Sequence, residues 1–92
     1  MTPFTLGEAC TLSQAEAIHA ALSEHMLRHA ADGLLIDATG VAEADVSLTQ
    51  LLVAARRAAA ARGLATTLLP SPAVRELLGR AGLDGWAESA RA

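Results

Sequence analysis

From Ser13 onward, apolar positions recur with a helical period: Ile18, Ala21, Leu22 and Met26 fall at i, i+3, i+4 and i+8. Ser13 as N-cap, with Glu16 three residues on as its capping-box partner, predicts a helix running to about His29. Phe4-Thr5-Leu6, beside Pro3, is a short strand candidate. Asp32-Gly33 reads as a helix stop and turn. The compact run Leu34-Leu35-Ile36, ending at Asp37, predicts a strand covered on both sides. Thr39-Gly40-Val41 and Glu43-Ala44-Asp45 form a polar connection. Leu48, Leu51, Leu52, Ala55 and Ala59 then mark the buried face of a second helix, which Gly63 ends with Arg62 placed for the helix dipole. Ala65 to Leu69 reads as another strand, stopped by Pro70. Ser71-Pro72 supplies an N-cap and a first-turn proline for a third helix, striped by Val74, Leu77, Leu78 and Ala81 and ending at Gly82. Asp84 to Ala92 reads either as a short helical turn in which Trp86 packs back on the body or as a frayed end. Strand and helix alternate throughout. The pattern therefore predicts an α/β fold: a small, mixed, mostly parallel sheet of about four strands with roughly three to four helices packed against it.

Length and composition narrow the picture. Ninety-two residues leave room for one core, so residues 1–92 are expected to form a single domain. Hydrophobic residues make up 52% of the chain against 18% charged, which favours a packed core over disorder. With aromatics at 2%, that core is aliphatic and its stability modest. A net charge of -3 argues against nucleic acid, whose phosphates demand clustered cations. Arg56, Arg57 and Arg62 are the nearest approach to such a cluster, and on an Ala-rich helix they read as a solvated face. The single Cys10 cannot form an internal disulfide. No signal-like N-terminus and no run near the roughly eighteen apolar residues of a membrane span is present, so a cytoplasmic protein without direct membrane insertion is expected.

In open α/β sheets, functional loops gather at the carboxyl ends of strands, which points to Asp37 through Thr49. That segment finishes where the second helix begins, a place whose free N–H groups favour an anion. Ser47, two residues after Asp45, is a candidate phosphorylation site there, while Asp45 or Ser47 as a plain helix cap is the competing reading. His25 and His29 have the i, i+4 spacing of two ligands for one metal, but no third ligand has recognisable spacing. They are expected at the edge of the core, with no metal and no cofactor. No nucleophile elbow, glycine-rich phosphate loop or metalloprotease helix occurs, so no catalytic residue is assigned and an enzyme is not expected. Cys10 reads as a small buried or half-buried side chain.

Three segments resemble the STAS domain, the fold of bacterial anti-sigma factor antagonists. Leu34-Leu35-Ile36-Asp37-Ala38-Thr39-Gly40-Val41 is similar to the family's strand and following loop. Glu43-Ala44-Asp45-Val46-Ser47-Leu48-Thr49-Gln50-Leu51-Leu52 resembles the stretch in which an Asp and two small or hydroxyl residues open a helix. Ser71-Pro72-Ala73-Val74-Arg75-Glu76-Leu77-Leu78, with Ala81-Gly82-Leu83, resembles its last helix. The resemblance implies that Ser47 is the phosphoacceptor of a partner serine kinase. It also implies partner switching, in which the unphosphorylated domain binds an anti-sigma factor or kinase and phosphorylation releases it. Thr39, Gly40, Asp45, Val46, Leu48, Thr49 and Arg56 are the expected partner-binding residues, on the loop and on the helix face where Arg56 and Arg57 project. The chain departs from the family pattern in having Val46 where a hydroxyl is common, Leu48 for the usual Gly and Thr49 at a usually apolar position. Leu48 is expected to crowd the helix start against an approaching kinase. The N-terminus is shorter than the fuller pattern by about one strand. Some proteins resembling this fold are constitutive accessory subunits of membrane lipid-transport ATPases, which is the alternative reading.

Overall fold

The computed structural model describes residues 2–29 and 32–83; the expected packing of Trp86 lies outside the described residues. Three strands form the main sheet: β1 (Pro3–Thr5), β3 (Leu34–Ala38) and β5 (Thr66–Pro70), in the order β1-β3-β5 and parallel throughout. A second, two-stranded parallel ladder joins β2 (Ala9–Cys10) to β4 (Glu43–Ala44). Its strands are two residues each and carry no alternation, which is why hydrophobic patterning did not reveal them. Helices α1 (Leu12–His29) and α2 (Val46–Ala61) make the crossovers that parallel pairing requires, and α3 (Pro72–Arg80) follows the last strand.

Pairing places Phe4, Ile36 and Leu68 side by side on one face of the sheet, with Leu34 and Ala38 in the same column. Leu34, Ile36, Ala38 and Leu68 are fully buried there beneath Leu48, Leu52, Val74 and Leu78 of the helices. Each such leucine or isoleucine withdraws apolar surface worth about 1.5–3 kcal/mol. The opposite face carries Thr5, Leu35, Asp37, Thr67 and Leu69, all half-buried or exposed. The expected strand covered on both sides is therefore corrected: β3 alternates, and only one of its faces is fully packed.

Helix ends obey local chemistry. α1 starts two residues earlier than expected, and its capping residues are Thr11 and Gln14 instead of Ser13 and Glu16. The Gln14 side-chain oxygen accepts from the Thr11 amide at 3.0 Å and from its hydroxyl at 2.6 Å. α2 closes through Gly63 at φ 73°, a left-handed conformation that glycine adopts without cost. Arg62 reaches across to donate to the Met26 carbonyl at 2.9 Å, tying the last turns of α1 and α2 together. At α3, the Ser71 hydroxyl accepts from the Val74 amide at 3.2 Å and Pro72 follows as the first helical residue.

Candidate functional site

Asp45 opens α2. Its backbone is extended, and its Oδ1 accepts from the Ser47 amide at 2.9 Å while the Leu48 amide bonds its carbonyl at 3.0 Å. The other carboxylate oxygen, Oδ2, accepts from the amide of Leu12 at 3.0 Å, thirty-three residues away in sequence. Leu12 is the first residue of α1, so its N–H has no partner within that helix. One carboxylate thus closes the starts of two helices. The Leu12 amide is the largest influence holding the Asp45 carboxyl below the usual range; desolvation opposes it, and the Ser47 amide and hydroxyl add to the lowering.

The connection leading to Asp45 is equally well defined. The Thr39 hydroxyl and amide both donate to Asp37 Oδ1, at 2.6 and 3.0 Å, and hold that carboxyl low as well. The Glu8 carbonyl accepts from the amides of Ala42 and Glu43 at 2.8 and 3.0 Å, pinning the loop against the β2 segment. Glu8, Asp37, Glu43 and Asp45 make this edge acidic, and residues 2–23 and 32–55 contain no Arg or Lys. Beside Asp45 lies an open groove of about 380 Å³, lined by Ala44, Val46, Thr49, Leu77 and Ala81, with Arg80 at its rim. Arg80 is ion-paired to Glu76 at 2.7 Å.

With Asp45 serving as the cap, Ser47 is left at the second helical position, half-buried, and next to Val46, which is 64% exposed. Thr39 and Gly40 are exposed on the same connection. Three of the expected partner-binding residues sit otherwise. Leu48 is 1% exposed and packs into the core, so, contrary to expectation, its bulk does not crowd the surface of the helix start. Thr49 is buried too, with its hydroxyl lacking a hydrogen-bond partner at the groove floor. Arg56 is half-buried ten residues beyond Val46, about 15 Å along α2. Sequence reasoning passed over Leu12, which is 74% exposed on the other side of the Asp45 carboxylate. Its signal was a large apolar residue off the periodic face of α1.

The remaining candidates have simpler surroundings. His25 is half-buried, packed edge-on to Phe4 at 5.3 Å between ring centroids, with Nε2 at 3.1 Å from the Thr2 carbonyl. His29 is exposed, 5.2 Å from the His25 ring. Among the described residues, no group of three or more His, Cys, Asp or Glu is placed to hold a metal ion. Cys10 is buried, its thiol 3.5 Å from the Gly7 carbonyl and pushed up in pKa by desolvation, the reverse of an activated thiolate.

This arrangement, a parallel sheet whose capped helix starts face an open acidic edge, can be set against known proteins. The family model described as "Mlab, STAS domain" matches residues 4–88. The chain belongs to the STAS family. Among solved structures, this STAS domain is similar to the anti-sigma factor antagonist SpoIIAA in its unphosphorylated form. The TM-score is 0.76 at 26% identity, over 91% of this chain and 74% of that one. No curated protein matches the chain. Among its described residues, no helix is long and apolar enough to cross a membrane.

Proposed function

We propose that this STAS domain is a phospho-regulated protein-binding module, an anti-sigma factor antagonist-like partner switch, working as one domain over residues 1–92 in the cytoplasm. Unphosphorylated, it binds an anti-sigma factor or serine kinase through Thr39, Gly40, Asp45 and Val46; Ser47 is the phosphoacceptor. The observation that carries this reading is the division of labour at the start of α2. Asp45 is the cap, so the Ser47 hydroxyl, the smallest influence on that carboxylate, is not itself the cap and is half-exposed beside an exposed valine. A kinase would form a bond from Ser47 Oγ to the γ-phosphorus of ATP, with the hydroxyl proton lost and ADP leaving. The product adds about -1.5 to -2 charges to an edge already carrying Glu8, Asp37, Glu43 and Asp45. Burying that charge beneath a partner that touches Val46 is costly, and the partner is released.

A second reading, favoured by Val46 where the family commonly has a hydroxyl, is a constitutive accessory subunit docked on a transporter ATPase. Affinity capture with the wild-type domain and Ser47→Asp, identified by mass spectrometry, separates the two. A kinase-like or anti-sigma protein held by wild type and lost with Ser47→Asp supports the switch. An ATPase subunit held equally by both supports the constitutive role, and an active cognate kinase that leaves Ser47 unmodified sinks the switch.

A further inference from the structure

The two oxygens of Asp45 do different jobs, one on Ser47 and one on Leu12. We propose that phosphate on Ser47 opens the Asp45 bridge between α1 and α2, so that modification at one helix start is transmitted to the other. This rests on Ser47 being the phosphoacceptor and adds how the modified state differs in structure.

The argument is local. A phosphoserine at the second position of a helix places strong acceptor oxygens beside the unpaired amides of the first turn, where an anion is favoured. The Ser47 amide is one of these, and Asp45 Oδ1 now occupies it at 2.9 Å. Phosphate and carboxylate compete for the same donor while repelling each other, and residues 32–55 contain no Arg or Lys to offset the added charge. Arg80, across the groove, is already paired with Glu76. Because the carboxylate is rigid, swinging Oδ1 away from Ser47 carries Oδ2 away from Leu12. The Leu12 amide, the first of α1, then has no intrahelical acceptor to fall back on. Leu12 and Val46, both largely exposed and held on either side of Asp45, lose their fixed relation.

That amide is also the readout. The full chain is produced with phosphoserine installed at position 47 during translation, and hydrogen exchange of individual amides is followed by NMR. Exchange at Leu12 is expected to rise at least about fivefold over the unmodified protein, towards the rate in Asp45→Ala, while Ser47→Ala, which removes the hydroxyl but keeps the amide that Oδ1 accepts from, raises it less than about twofold. The Val74 amide, bonded to the Ser71 hydroxyl of α3, is the internal reference and should keep its protection. A smaller rise at Leu12 overturns the proposal. So does an equal loss of protection at Val74, which marks general unfolding. Because the phosphate is installed without a kinase, failure to find a kinase for Ser47 counts against the proposed function and leaves this result untouched.

Discussion

α2 and α3 begin in the same way and end up with different capacities. Each follows a strand, each has an extended N-cap residue whose side-chain oxygen accepts a first-turn amide, and each has a serine at that start. In α3 the serine is the cap: Ser71 is 3% exposed, and its oxygen is committed to Val74. In α2 an aspartate takes that role, reaches a second helix with its other oxygen, and leaves the serine two residues further on and half-exposed. A hydroxyl that folding requires cannot easily be modified, whereas one that folding does not require is available for regulation. Moving the cap by two residues separates the two tasks.

The sharpest way to break this comparison concerns the residue after Ser47. Leu48 stands where the family usually has Gly, yet it is buried in the core and belongs to the scaffold. Restoring the family residue with Leu48→Gly should cost about 4 kcal/mol, the sum of a buried leucine's packing and glycine's backbone freedom in a helix. For so small a domain this removes most of the stability. Urea denaturation checks it, and a loss under about 1 kcal/mol would show that Leu48 is not part of the core. A smaller effect tests the serines directly. Ser71→Ala should cost about 1–2 kcal/mol, as for a buried cap, whereas Ser47→Ala should stay within about 0.5 kcal/mol. Equal losses in thermal melts would erase the distinction between the two helix starts.

Much of this architecture was legible because it is written in local chemistry. Ser71-Pro72 and Gly82 bracket α3 where expected, and the apolar periodicities of α1 and α2 identify both helices. What could not be read depends on contacts distant in sequence. Nothing near Asp45 indicates that its second oxygen serves Leu12, because that bond exists only once β2 pairs with β4 and brings the two helix starts together. The same holds for Leu48 and Thr49. Their place in a motif suggested a surface role, while the packing of α2 on the sheet turns both inward. The α1 cap was misread for a more ordinary reason: Thr11-Gln14 and Ser13-Glu16 are competing capping pairs two residues apart, and the hydrogen bonds select the first.

The smallest effect separates the two caps by acid. Asp45 has a lowered pKa in the folded chain, led by the Leu12 amide, so the folded state holds its proton less tightly than the unfolded one. Its contribution to stability is therefore fully present above the unfolded carboxyl value of about 3.9 and is lost as pH falls through the lower folded value. Asp37, held low by the Thr39 hydroxyl and amide, acts in the same direction. The Ser71 cap does not titrate. Melting temperatures of wild type and Asp45→Asn, measured from pH 7 down to the acid limit of folding, should differ most near neutrality and converge as the carboxyl protonates. The Leu12 amide should lose protection over that acid range while Val74 keeps its own. Parallel curves for the two proteins would mean that the ionised carboxylate is not what joins the starts of α1 and α2.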